Sequence, residues 1–228
     1  MGARSGRSKP ARPSRRTSGS PAAHRALWRE IYEKTPHTEL PWFDAGPSPP
    51  VVRAVEEGFL SPRWPVLDIG CGAGSNVLYL RQKGFESHGV DISPGAVRAA
   101  NRRLKEAGFP PTVREGDALS LGGRAGRFGG AIDHGCFHVL PVDHREAYAN
   151  EIARILRPGG RFVLTWVARE HTGPVGPPHR PSLAEIAQAL ETRFQILRTE
   201  FQAESEETGP PFYHAWLTLR SAPQPPPR

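Results

Sequence analysis

Sulfur is scarce in this chain: its 228 residues include two cysteines, Cys71 and Cys136, and one methionine. Two cysteines cannot build a disulfide framework, and without a Cys-x-x-Cys pair a structural zinc is not expected. Such usage fits a reducing compartment, with the cytoplasm as the expected location. No apolar run approaches the roughly 18 residues of a membrane span, so no membrane association is expected. Acid is missing from residues 1–28, which carry seven Lys/Arg (Arg4, Arg7, Lys9, Arg12, Arg15, Arg16 and Arg25). The remaining 23 basic residues are matched by 23 acidic ones. The sequence pI near 10 thus belongs to a tail, and the neutral remainder lacks the basic stripe of a specific nucleic-acid binder.

The tail, residues 1–24, is rich in Ser, Pro, Arg and Gly, too polar to bury a core, and is expected to be disordered. It reads as a solvated extension, a transit segment or a non-specific polyanion contact. A twin-arginine signal is excluded because no apolar stretch follows Arg15-Arg16. Gly6 stands where N-myristoylation wants Ser or Thr. Residues 221–228 form a second, Pro-rich tail. Between them, 25–220 is long enough for one domain.

Glycine and proline are plentiful, and one glycine cluster carries chemistry. Val66-Leu67-Asp68-Ile69-Gly70-Cys71-Gly72-Ala73-Gly74 is an apolar strand running into three glycines at alternate positions, followed by a helical pattern. Glycine lets a backbone turn sharply and a ligand approach closely, and open α/β sheets bind ligands at the carboxyl ends of their strands. The run is G-x-G-x-G, with Ser75 where a dinucleotide fingerprint has its third glycine. On these residues alone, S-adenosylmethionine (SAM) and a nucleotide both remain open.

Strand and helix patterns alternate around this cluster. Helices are expected at 25–34, 51–59, 75–84, 93–104, 144–156 and 182–194, with Ser93 and Ser182 as caps. Strands are expected at 65–69, 86–91, 111–115, up to 133, 161–167, 194–201 and 213–219. This predicts an α/β fold, a Rossmann-like parallel sheet flanked by helices. Its last two strands lack a helix between them and must form a hairpin, which makes the last strand antiparallel.

The glycine run with Asp68 resembles motif I of class I SAM-dependent methyltransferases. Their sheet has seven strands in the order 3-2-1-4-5-7-6, and that order is expected here. The resemblance extends from Leu27 to Arg220. It is narrower still to a small-molecule group that includes thiopurine-, thiol- and tellurite-resistance methyltransferases. That resemblance rests on Trp28…Tyr32…Pro41-Trp42, Pro47-Ser48-Pro49, Asn76 to Leu80, and Asp133-His134-Gly135-Cys136-Phe137-His138, with a departure at His134, where Arg or Ser is common. It implies SAM as cofactor. Asp68, Gly70, Gly72, Gly74 and Asn76 would lie at the methionine end, Asp91 and Ile92 at the ribose, and Asp117 and Ala118 at the adenine. Asn76 could equally satisfy a loop or a helix end, and Asp117 could be an ordinary turn residue. Trp42 and Trp28 would form a lid, Trp42 on the cofactor and Trp28 toward the acceptor. An aromatic cover excludes water and attracts a sulfonium.

The acceptor is expected beyond the fourth strand, near His134, Cys136 and His138, and under a loop holding His179 and Arg180. His134 and His138 are the candidate catalytic residues, as proton acceptors or as stabilisers of an anionic nucleophile. No metal site is expected from their short spacing. The expected partner is a small-molecule acceptor, a thiol or other chalcogen first. The alternatives are an O- or N-methyltransferase of a natural product and a non-catalytic SAM-binding partner protein.

Overall fold

The computed structural model describes residues 21–171, 179–205 and 210–220. Most of the basic tail, the Pro-rich tail and the middle of the loop before Ser182 lie outside them. Six helices and seven strands follow in order: α1 (Pro21–Lys34), α2 (Pro49–Glu56), β1 (Val66–Ile69), α3 (Ser75–Gln82), β2 (Ser87–Asp91), α4 (Pro94–Glu106), β3 (Val113–Glu115), β4 (Phe128–His134), α5 (Arg145–Ile155), β5 (Leu156–Val167), α6 (Leu183–Leu190), β6 (Phe194–Gln202) and β7 (Phe212–Leu219). The sheet order is β3-β2-β1-β4-β5-β7-β6, as expected. β7 runs antiparallel between β5 and β6.

Local chemistry explains most boundaries. The first turn of α2 holds Pro49-Pro50, where a missing N–H costs nothing. The Ser93 side chain accepts from the Ala96 amide at 3.4 Å at the start of α4, and Ser182 and Glu185 form a capping box on α6. Several boundaries differ from expectation: β5 begins at Leu156 and not at 161, and α2 spans Pro49–Glu56 and not 51–59. Helix α1 begins at Pro21, four residues earlier than the sequence pattern indicated. Helix α6 stops at Leu190, because Phe194 is fully buried at the start of β6.

The sheet is buried on both faces, which is why β1 reads as a continuous apolar run. One face packs Leu67, Phe162, Leu164 and Trp166 against Tyr148 and Ile152 of α5 and Ile186 of α6. The other packs Val66, Ile132, Val163 and Trp216 against Val51 and Ala54 of α2 and Leu80 of α3. The neighbours of β1 are β2 and β4, so strand order reverses there. The cleft beyond the carboxyl ends of β1, β2 and β4 is where this topology binds ligands.

Candidate active site

The glycine run makes the turn between β1 and α3. Gly70, Gly72 and Gly74 all have positive φ (65°, 51° and 76°), where a side chain is strained. Space forbids one as well. A Cβ on Gly70 would fall 2.6 Å from the Cys136 Cβ, and one on Gly72 would fall 2.9 Å from the Tyr32 hydroxyl. Gly70→Ala is therefore expected to destabilise the fold by roughly 2–4 kcal/mol, measured by thermal unfolding. Adding Cys136→Gly should recover the steric part of that loss.

Acidic groups surround this turn. The Gly72 amide donates to Asp91 Oδ2 at 2.9 Å and the Ser93 amide donates to Asp91 Oδ1 at 2.9 Å. Asp91 thus joins the ends of β1 and β2 and keeps further lone pairs for a ligand. Asp68 is 2% exposed, and its Oδ2 has no hydrogen-bond partner. Burial first, then the Asp133 and Asp91 charges, push its carboxyl well above the usual range, opposed by the Asn76 amide. Asn76 Oδ1 in turn accepts from the Ser48 amide (2.9 Å) and hydroxyl (3.1 Å). It therefore holds the loop before α2 and faces Asp68. Asp133 accepts from the Cys136 and Phe137 amides at 2.8 and 2.9 Å and from the Tyr148 hydroxyl. Burial raises its pKa to about 7 against those bonds. No basic side chain pairs with Asp68, Asp91 or Asp133 among the described residues. Buried acids without a cation, one of them with an orphaned oxygen, suit a cationic ligand. An ammonium and a sulfonium meet that need, and a pyrophosphate does not.

Helix α1 covers the turn. Trp28 and Trp42 meet edge to face at 5.5 Å, and Trp42 Nε1 donates to the Tyr32 hydroxyl at 3.2 Å. The two expected lid residues thus touch directly, and Tyr32 is bonded to the second of them. Farther along α1, Arg25 pairs with Asp117 at 3.2 Å, and Arg29 donates to the Ile92 carbonyl at 3.2 Å and pairs with Glu115. Asp117 Oδ1 also accepts from the Leu119 amide at 2.9 Å, so Asp117 and half-buried Ala118 do form a turn. Arg103, also missed, ties Ala73, Ser75 and Ala45 together with contacts of 2.8 to 2.9 Å.

Comparison with known proteins matches this arrangement. Residues 66–160 match the family model described as a methyltransferase domain. This chain has the Rossmann-like α/β fold of the class I methyltransferases. It is 33% identical over 151 residues to a 2-heptyl-1-hydroxyquinolin-4(1H)-one methyltransferase of Mycobacteroides abscessus, covering 64% of this chain and 66% of that one. It is 31% identical over 138 residues to a thiopurine S-methyltransferase of Vibrio campbellii, covering 53% and 62%. The aligned stretch is just under two thirds of each relative's own length. Among solved structures, it resembles the 1,6-didemethyltoxoflavin-N1-methyltransferase of Burkholderia thailandensis with a TM-score of 0.70 at 22% identity, covering 89% of this chain and 92% of that one. No helix among the described residues is long and apolar enough to cross a membrane.

On the acceptor side of the methyltransferase cleft, His134 ends β4 with its ring 5.8 Å from Phe212. Its edge is open to solvent, but the surrounding walls lower its pKa to about 4. His138 is buried, and its Nδ1 accepts from the Val167 amide at 3.0 Å. Burial lowers its pKa to about 3, so the ring is neutral and carries its proton on Nε2. Of the two roles open to it, this geometry favours the hydrogen-bond donor over the proton acceptor. Burial pushes both thiols, Cys71 and Cys136, well above their ordinary pKa, so neither forms a ready thiolate. His179 and Arg180 lie near His138, close enough for their charge to disfavour its protonation. No cluster of three or more metal-binding side chains occurs among the described residues.

Proposed function

We propose that this protein transfers a methyl group from SAM to an oxygen or nitrogen of a small heteroaromatic acceptor. The uncompensated buried acids beneath the glycine turn carry the cofactor half of the reading. Asp68 would hold the ammonium, the Gly70–Gly74 amides the carboxylate, Asp91 the ribose hydroxyls, and Asp117 with Ala118 the adenine once Arg25 shares that carboxylate. Bound SAM supplies an electrophilic methyl carbon on a sulfonium. The chain's contribution is to orient the acceptor in line with it and to exclude water under Trp28, Tyr32 and Trp42. Neutral His134 accepts a hydrogen bond from an acceptor hydroxyl, and His138 Nε2 donates one to the oxygen as charge redistributes.

The acceptor half rests on relatives. The quinolone-methylating enzyme is more similar over a longer stretch than the thiopurine enzyme, and an N-methylating structure shares the fold. These favour oxygen or nitrogen over the sulfur acceptor expected from the narrower resemblance. The test incubates the full chain with methyl-labelled SAM and a panel of N-hydroxyquinolones, fused pyrimidine heterocycles, phenols and thiols. Label on an oxygen or nitrogen heterocycle is expected. Label confined to thiols would restore the sulfur reading.

A further inference from the structure

One buried cation has no role in the fold. Arg145 is 4% exposed and opens α5. A cation there faces the positive end of the helix dipole, which is unfavourable. Its Nε is buried without a hydrogen-bond partner, and no ion pair reaches it among the described residues. The face of Phe137, 5.4 Å from the guanidinium carbon, is its one marked contact. Glu185 is the acid whose charge it feels, but that carboxylate is committed to the Ser182 amide and hydroxyl, both at 2.8 Å, and to Arg169. Leaving a buried charge unpaired costs several kcal/mol.

Two further donors converge on the same place. His179 Nε2 is buried without a partner, and His138 presents Nε2–H because its Nδ1 is taken by the Val167 amide. Arg145 lies against Phe137, the chain neighbour of His138, and its charge acts on both His138 and His179. It lies past the carboxyl ends of β4 and β5, on the acceptor side of the cleft. The cofactor side holds acids without cations, and this side holds a cation and donors whose nearby acid, Glu185, is committed to Ser182 and Arg169.

We propose that Arg145, with His138 and His179, forms an anion-binding subsite for an aryl oxyanion or carboxylate of the acceptor. A guanidinium fits either group in a bidentate geometry. This rests on the methyl-transfer reading for the identity of the ligand, while the subsite stands on the cluster itself.

Two matched probe pairs test it by calorimetric titration of the full chain, with and without saturating S-adenosylhomocysteine. They are benzoate against benzamide, and ionised 1-hydroxyquinolin-4(1H)-one against its 1-methoxy ether. In at least one pair the anion should bind tenfold or more tightly than its neutral partner. Preference in the first pair assigns Arg145 to a carboxylate, and preference in the second to the reacting oxyanion. Arg145→Met, which keeps the alkyl stem against Phe137, should abolish the preference. Arg145→Lys should retain part of it. S-adenosylhomocysteine affinity should be unchanged in both variants, and the ligand-free Arg145→Met protein should melt at or above the wild-type temperature. Equal affinity within both pairs, or a preference that survives Arg145→Met, overturns the subsite. Failure of the wild type to bind S-adenosylhomocysteine would instead sink the methyl-transfer reading, and the titrations without it would still decide the subsite.

Discussion

Asp91→Ala is expected to weaken SAM binding by about 100-fold or more. Two contributions combine. Asp91 fixes the Gly72 amide and the Ser93 amide at 2.9 Å each, so its removal loosens the glycine turn and the start of α4 together. Each bond to a charged acceptor is worth roughly 1.5–3 kcal/mol. The same carboxylate is the proposed partner of the ribose hydroxyls, and that interaction is lost as well. Asp91→Asn separates the two effects. It keeps an oxygen for one amide but places an amide group where the other oxygen accepted, so it should fall between wild type and alanine. Titration calorimetry gives the affinities, and thermal melting of the ligand-free chain reports the turn alone. Undiminished SAM affinity in Asp91→Ala would overturn the ribose assignment.

What the sequence revealed about this site, and what it concealed, follows from the range of the interactions. The Gly70–Gly74 turn, Asp68 and Asp91 are legible because strand, turn and first helix are contiguous, and the residues meet within about one structural unit. The closing hairpin is legible because nothing separates its strands. The order β3-β2-β1-β4 is not a matter of periodicity. It came from resemblance, and the pairing of β1 with both β2 and β4 bears it out. The Arg25–Asp117 pair spans 92 positions and the Arg29–Ile92 contact 63. No local pattern signals that α1 folds back over the segments that follow β2 and β3. Helical spacing does not show that the Tyr32 hydroxyl reaches the space above Gly72. His138 was legible as a candidate, but its donor character is set by the Val167 amide, 29 residues away. Arg145 gave one readable signal, a basic residue at the start of a periodic helix, where the dipole disfavours it.

Asp68→Asn should raise the stability of the ligand-free protein and weaken SAM binding, and the size of both effects should depend on pH. Burial and the charges of Asp133 and Asp91 hold the Asp68 pKa well above its ordinary 3.8, and Asp133 is raised to about 7. A carboxyl whose folded pKa exceeds its unfolded value keeps a proton in the native state that the unfolded chain has released. Its contribution to stability is complete below about pH 4 and declines as pH rises to about 7 and beyond. His134, His138 and His214 act oppositely. Their lowered pKa values mean that stability is lost as pH falls below about 6.5. The informative measurement is therefore the difference between variant and wild type, in which the histidines largely cancel. Asparagine removes a buried charge that lacks a cation, so the gap should widen from pH 5 to pH 8 and reach roughly 2 kcal/mol, or about 4–8 °C in a domain of this size. Binding should show the mirror image. A cationic ligand lowers the pKa of these carboxyls and releases protons, so wild-type SAM affinity should rise with pH, by at most about tenfold per unit for each proton released. In Asp68→Asn the affinity should fall by roughly 100-fold, and most of that pH slope should disappear. A variant that gains no stability, with an unaltered pH slope, would mean that Asp68 is not the group receiving the cation. The orphaned oxygen beneath the glycine turn would then have to be satisfied in some other way.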